Sequence, residues 1–361
     1  MSSKYGLIPI GYCEKDGILW FLQYKSNKLI KMQLNNFEIM DVYIIPQFNV
    51  SKLVVYADKI IDCGGKLCIL HYGSGYIYEF DIESQTFELI LLYENYKYCG
   101  GAVIKIGDNI LIFPYGENYV LKYNYKTSTT EKDIFSDEQN RYFESNFVNR
   151  NNTEVIFADS SNNILYKFSL IDNSIENITI GEDTNRYWGI KAINDYYLLP
   201  CINKNKILIL NSNFEILKKI DIQCDKYASY IGYAVTDMYL YDKYLYIFPK
   251  FSNAVLRINL ESYSVELGFD QAILSDNNFS NISCRETFAD TIRIENNVYA
   301  YLAEKKIWYI FNLKDNRTEV YSNLEIVNER VLNNIRKLYI NDVINEDGIN
   351  NTLDNFLLSI K

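Results

Sequence analysis

The chain has 361 residues, a formal net charge of −10 from 36 basic and 46 acidic side chains, and 33 tyrosines and 19 phenylalanines beside 5 prolines. An acidic surface repels phosphate backbones, which sets nucleic acid aside as a partner. Seven scattered cysteines, none in a Cys-x-x-Cys, and one histidine set aside the usual zinc sites, and with no apolar run near the ~20 residues that cross a bilayer the expectation is a cytoplasmic protein with no membrane partner.

Aromatic and β-branched residues suit half-buried pleated surfaces, so the prior is β. In chain order seven similar stretches follow: FLQYKSNKLIKMQL from 21, ILHYGSGYIYEFDI from 69, IFPYGENYVLKYNY from 112, IFADSSNNILYKFSL from 156, LLPCINKNKILILN from 198, IFPKFSNAVLRINL from 247 and YLAEKKIWYIFNL from 301. Each reads as an apolar pair, a polar turn and an alternating strand. The residue after each pair serves as an anchor: Gln23, His71, Pro114, Ala158, Pro200, Pro249 and Ala303, spaced by 42 to 54 residues. A glutamate keeps step 15 to 18 residues later, at Glu38, Glu88, Glu131, Glu176, Glu215, Glu266 and Glu319. Within the third period four strand-length runs can be counted, GAVIKIG, ILIFPY, YVLKYNY and TEKDIF.

Four short strands repeated every ~45 residues predict an all-β, seven-bladed propeller of four-stranded antiparallel blades over residues 1–322. The pattern resembles the WD-repeat, Kelch and related propeller repeats over roughly residues 4–322, although the Trp-Asp dipeptide is absent and paired glycines occur in two periods alone, at Gly64–Gly65 and Gly100–Gly101. The recurrent glutamate opens the outermost strand, where a charge discourages edge-to-edge pairing. All blades use consecutive sequence, so closure is expected from packing between the first and last. Beyond, Val327, Val331, Leu332, Ile335, Leu338 and Tyr339, then Leu353, Phe356, Leu357 and Ile360, recur at helical spacing. They predict a helical tail over 323–361 packed on the propeller.

Short aromatic motifs precede the blades: KYGLI, KYCGG, RYFES, RYWGI and SYIGY. The propeller resemblance implies that innermost strands start at the face where such folds commonly bind ligands. That would gather Tyr98, Arg141, Tyr142, Arg186, Tyr187, Trp188, Tyr230, Arg285 and Glu286 at the axial mouth, with His71, Tyr115, Asp159 and Lys250 at second-strand ends nearby. Tyrosines repeated in most blades also fit wedges between neighbouring blades, because each repeat must bury its faces on the next. Arg186, Trp188, Arg285 and Glu286 are not shared by all blades, so packing does not require them.

Tyrosine, tryptophan and arginine supply stacking area and donors typical of binding hot spots. The expected function is a module that binds a protein, a peptide, or an anionic or carbohydrate-like small molecule. The alternative is a carbohydrate-active lyase or glycosidase at the same mouth, drawing a carboxylate pair from Glu144, Asp159, Glu286 and Glu304. No Gly-x-Ser-x-Gly, phosphate loop or Gly-x-Gly-x-x-Gly occurs. No catalytic residue, metal or cofactor is therefore assigned.

Overall fold

The apolar pairs that mark each period become the most deeply buried part of each sheet. Phe21 and Leu22, Ile112 and Phe113, Ile156 and Phe157, and Ile247 and Phe248 all have at most 1% of their surface exposed. These second strands carry continuous apolar runs, and around Phe21 and Leu22, as around Ile156 and Phe157, a neighbouring blade covers each face. Fourth strands, such as Thr86–Leu91 and Thr129–Ile134, alternate exposed and partly covered positions, as strands solvated on one side do.

The computed structural model describes residues 9–23, 28–46, 56–72, 75–92, 101–135, 139–181, 186–201, 206–222, 235–250, 252–269, 288, 290–302 and 307–321, without the side chains of 56–58, 71–72 and 144–146. Twenty-eight strands among these residues form seven sheets, each of four strands in sequence order. Every pairing is antiparallel; in blade 3, for example, Pro114 pairs Gly101 and Tyr119 pairs Ile134. The protein is a seven-bladed β-propeller, with blades at 9–44, 56–91, 101–134, 143–179, 191–221, 235–267 and 291–321. No helix occurs among the described residues. Six anchors fall in second strands. Ala303 and the expected helical tail at 323–361 lie outside the described residues.

The chain divides into two compact units, one of residues 1–97 with 288–361 and one of 98–287. In the first, blade 1 packs on blade 2 through Trp20, Leu22, Ile69, Tyr78 and Phe80. Its other face meets blade 7 through Phe21, Phe37, Tyr299 and Trp308. Blades 7 and 1 share no strand, so their junction rests on packing and on the Asp290 carboxylate, which accepts from Gly11 N–H at 2.9 Å. In the second unit Phe113, Phe143, Phe157 and Phe168 join blades 3 and 4. Blades 4 and 5 meet at Ile156, Tyr187 and Leu199, and blades 5 and 6 at Leu198, Ile207, Ile247 and Leu256.

All seven recurrent glutamates stand in or directly beside a fourth strand that pairs a third strand bearing polar or charged side chains. Glu131 faces Lys122 at 3.8 Å, Glu176 faces Lys167 at 2.8 Å and Glu266 faces Arg257 at 2.8 Å. Being exposed, these pairs contribute little each and chiefly keep the outer hairpins polar.

Candidate functional site

Within the second unit, first strands begin and second strands end on one rim. Four first strands of the protein carry bulges near their starts, between Ile10 and Cys13, Ala57 and Lys59, Phe143 and Phe147, and Val235 and Asp237. A bulge re-aims side chains where a strand begins, and such features concentrate beside functional sites. Backbone hydrogen bonds stitch this rim from blade to blade. Gly116 N–H donates to Arg141 O at 2.7 Å and Arg141 N–H to Glu117 O at 3.1 Å. Ser160 N–H then reaches Tyr142 O at 3.4 Å, Tyr187 N–H reaches Asp159 O at 3.3 Å, and Trp188 N–H reaches Pro200 O at 3.2 Å.

On this belt the two look-alike motifs sit one residue out of phase. Phe143 pairs Asp159 and Tyr187 pairs Cys201, and both partners directly follow an anchor, so Tyr187 matches Phe143 rather than Tyr142. A one-residue slip turns every side chain to the other side. Tyr187 is accordingly fully buried in the blade 4–5 core, its hydroxyl 3.5 Å from Ile180 O. Arg186 is exposed and Trp188 half-buried. In RYF the phase is reversed: Arg141 and Phe143 are buried and Tyr142 is half-exposed. Arg141 lies with its guanidinium 4.8 Å from the Phe135 ring and 5.5 Å from that of Tyr166, donating to Gln139 O at 3.1 Å. Tyr187, expected at the mouth or wedged between blades, and Arg141, expected at the mouth, are both buried in packing positions.

Among the described residues, the candidate side chains that face outward form two groups. Tyr115, directly after its second strand, is 40% exposed and stands edge-on to Tyr142 with ring centroids 5.0 Å apart at 66°. Its hydroxyl meets Ser160 Oγ at 3.0 Å. In the other group, the Lys250 ammonium lies 4.9 Å from the centre of the Trp188 ring, and Trp188 leans on the blade 5–6 core. Asp159 is no part of either. Its buried carboxylate accepts from Ser161 N–H and Oγ–H at 2.6 and 2.7 Å, from Asn162 N–H at 3.0 Å and from the Tyr166 hydroxyl, which fixes the hairpin after the second strand.

His71 stands in the second strand of blade 2, paired with Ala57, and its side chain is not among those described. Tyr98, Tyr230, Arg285, Glu286 and Glu304 lie outside the described residues, as does the Glu144 side chain. No group of three His, Cys, Asp or Glu among the described residues is placed to hold a metal ion. Among them too, no helix is long and apolar enough to cross a membrane.

No family model and no curated protein matches this sequence. Solved structures do match by shape. A catalytically inactive virginiamycin B lyase from Staphylococcus aureus with quinupristin has a TM-score of 0.64 and 14% identity, over 84% of this chain and 94% of that one. A streptogramin B lyase gives 0.61 at 16% identity, over 83% and 92%. YCF48 with a bound peptide gives 0.59 at 8% identity, over 83% and 90%. At these identities the likeness is one of fold, to propellers at large rather than to WD-repeat or Kelch proteins in particular.

Proposed function

We propose that the protein is a binding module that captures an anionic ligand on the rim of blades 3 to 6, with Arg186, Trp188 and Lys250 as its principal contacts. The observation that carries this reading is the ammonium of Lys250 held over a half-exposed indole, next to an outward-facing arginine, in a protein of net charge −10. A cation held against a ring face loses less freedom when it binds, and cations on an acidic molecule steer anions locally. The propellers it resembles include ones holding a small molecule or a peptide, which makes such a role compatible with the fold. A lyase or glycosidase on this rim has less support, since the carboxylate of Asp159 is committed to hairpin donors.

Calorimetric titration with citrate, phosphate and small carboxylates at low salt tests this. Lys250→Met and Arg186→Met should each weaken the tightest of them by about 1–3 kcal/mol while leaving the melting temperature nearly unchanged. Binding that is absent, or that both variants leave intact, would falsify the anion site. Trp188→Ala is a poorer test, because the side chain also covers the blade 5–6 core.

A further inference from the structure

Resting on that reading, the geometry points to an acidic carbohydrate as the ligand, its sugar ring against Tyr115 and Tyr142 and its carboxylate at Lys250 and Arg186. The two tyrosines meet edge to face at 66°, so together they present two walls of a corner rather than one flat platform. The Tyr115 hydroxyl is tied to Ser160 Oγ at 3.0 Å, which holds its partly exposed ring in one orientation before any ligand arrives. An aromatic face held in this way suits the apolar C–H face of a pyranose. The surrounding side chains can both give and accept hydrogen bonds, as sugar hydroxyls require. Either oxygen of the Tyr115–Ser160 pair can be the donor, and the exposed Asn162, two residues on, carries an amide whose nitrogen donates to Ser161 Oγ at 2.8 Å and whose oxygen can accept.

The corner and the cations lie on one continuous belt. Ser160 N–H bonds Tyr142 O, the preceding Asp159 O accepts from Tyr187 N–H, and Trp188 follows. Those few backbone steps put the corner on the order of 10 Å from the indole, a separation that a short oligosaccharide can span. Charge also gives the ligand a direction. The exposed Glu117 lies at the blade 3 end of the belt, whereas Arg186 and Lys250 stand at the blade 5–6 end. The acid group is therefore held away from Glu117, with neutral hydroxyls toward it.

The test is calorimetry on the full chain with short oligomers of galacturonate, glucuronate and mannuronate. The comparison ligands are their carboxyl-reduced neutral counterparts, citrate, phosphate and benzoate. At least one uronate oligomer should bind about tenfold or more tightly than its neutral counterpart and than benzoate. Tyr115→Ala and Tyr142→Ala should weaken that uronate about tenfold each without changing the affinity for citrate, and Tyr115→Phe, which keeps the ring, should lose less. Lys250→Met should weaken uronate and citrate alike. Citrate or phosphate binding with no uronate preference, benzoate as the tightest ligand, or indifference of uronate binding to both tyrosines overturns the carbohydrate assignment and leaves the anion site standing. Failure of every anion, or binding unaffected by Lys250→Met and Arg186→Met, removes the anion site itself.

Discussion

Arg141 shows how far a side chain's surroundings can depart from what its type suggests. A guanidinium with no exposed surface lies against Phe135 and Tyr166, so it acts as a flat packing element as much as a charge. Arg141→Ala should lower stability by about 2–4 kcal/mol in urea titration, through lost packing and cation–π contact. Anion affinity at Lys250 should be unchanged. The lysine variant should destabilise too, because an ammonium cannot lie flat between rings. Cys13 offers a pH-dependent counterpart at the blade 1–2 junction. Burial, with Asp62 adding, pushes its thiol up from the ordinary 9.0 to about 11. The folded state holds that proton more tightly, so its contribution is complete below pH 9 and is lost as pH rises toward 11. Urea midpoints should therefore fall over that window, and Cys13→Ala should remove up to about 2–3 kcal/mol of the fall.

Each blade ends in an outer hairpin whose turn holds one left-handed non-glycine residue: Phe37, Gln85, Ser128, Asn173, Phe214, Tyr263 and Asn316, all with φ between 50° and 62°. An acceptor near the end of the third strand organises most of these turns. Asn124 Oδ1 takes Lys126 and Thr127 N–H, and Asn259 Oδ1 takes Glu261 and Ser262 N–H. Left-handed backbone costs a residue with a Cβ about 1–2 kcal/mol, partly offset by the chain entropy that glycine loses. Ser128→Gly should therefore raise stability by about 0.5–1 kcal/mol and Asn259→Ala should lower it by about 1 kcal/mol, both read as shifts in melting temperature. This polar cap is a third repeating marker in the sequence, in KYNYKT, RINLES and IFNLKD, in step with the anchors and glutamates. Blade number was legible because buried apolar pairs and edge charges follow from strand position alone. The phase of RYF against RYW was not. Whether a tyrosine points in or out depends on which residue bridges to the neighbouring strand, Arg141 to Glu117 in one case and Tyr187 to Cys201 in the other. Those partners lie 24 and 14 residues away and leave no mark on the tripeptide.

At the scale of the molecule, all seven sheets are built from neighbouring stretches of chain, while the junction of blades 7 and 1 joins residues 279 apart at Gly11 and Asp290. Aromatic packing supplies much of the rest of that junction, with the Trp308 ring centroid 5.6 to 6.1 Å from those of Tyr12, Phe21 and Phe37. The contrast in separation fixes an order of events in time. A blade can assemble from its own few dozen residues, but bringing the ends of so long a segment together costs roughly 3 kcal/mol more chain entropy than closing a hairpin of about ten residues. The junction is therefore expected to close after the blades, on the native side of the rate-limiting barrier. Trp308→Phe and Asp290→Ala should therefore speed unfolding in stopped-flow experiments and leave the refolding rate nearly unchanged, and slower refolding would place the junction before the barrier. On that expectation the seam between first and last blades is a clasp, setting how long the assembled protein lasts rather than how fast it is made.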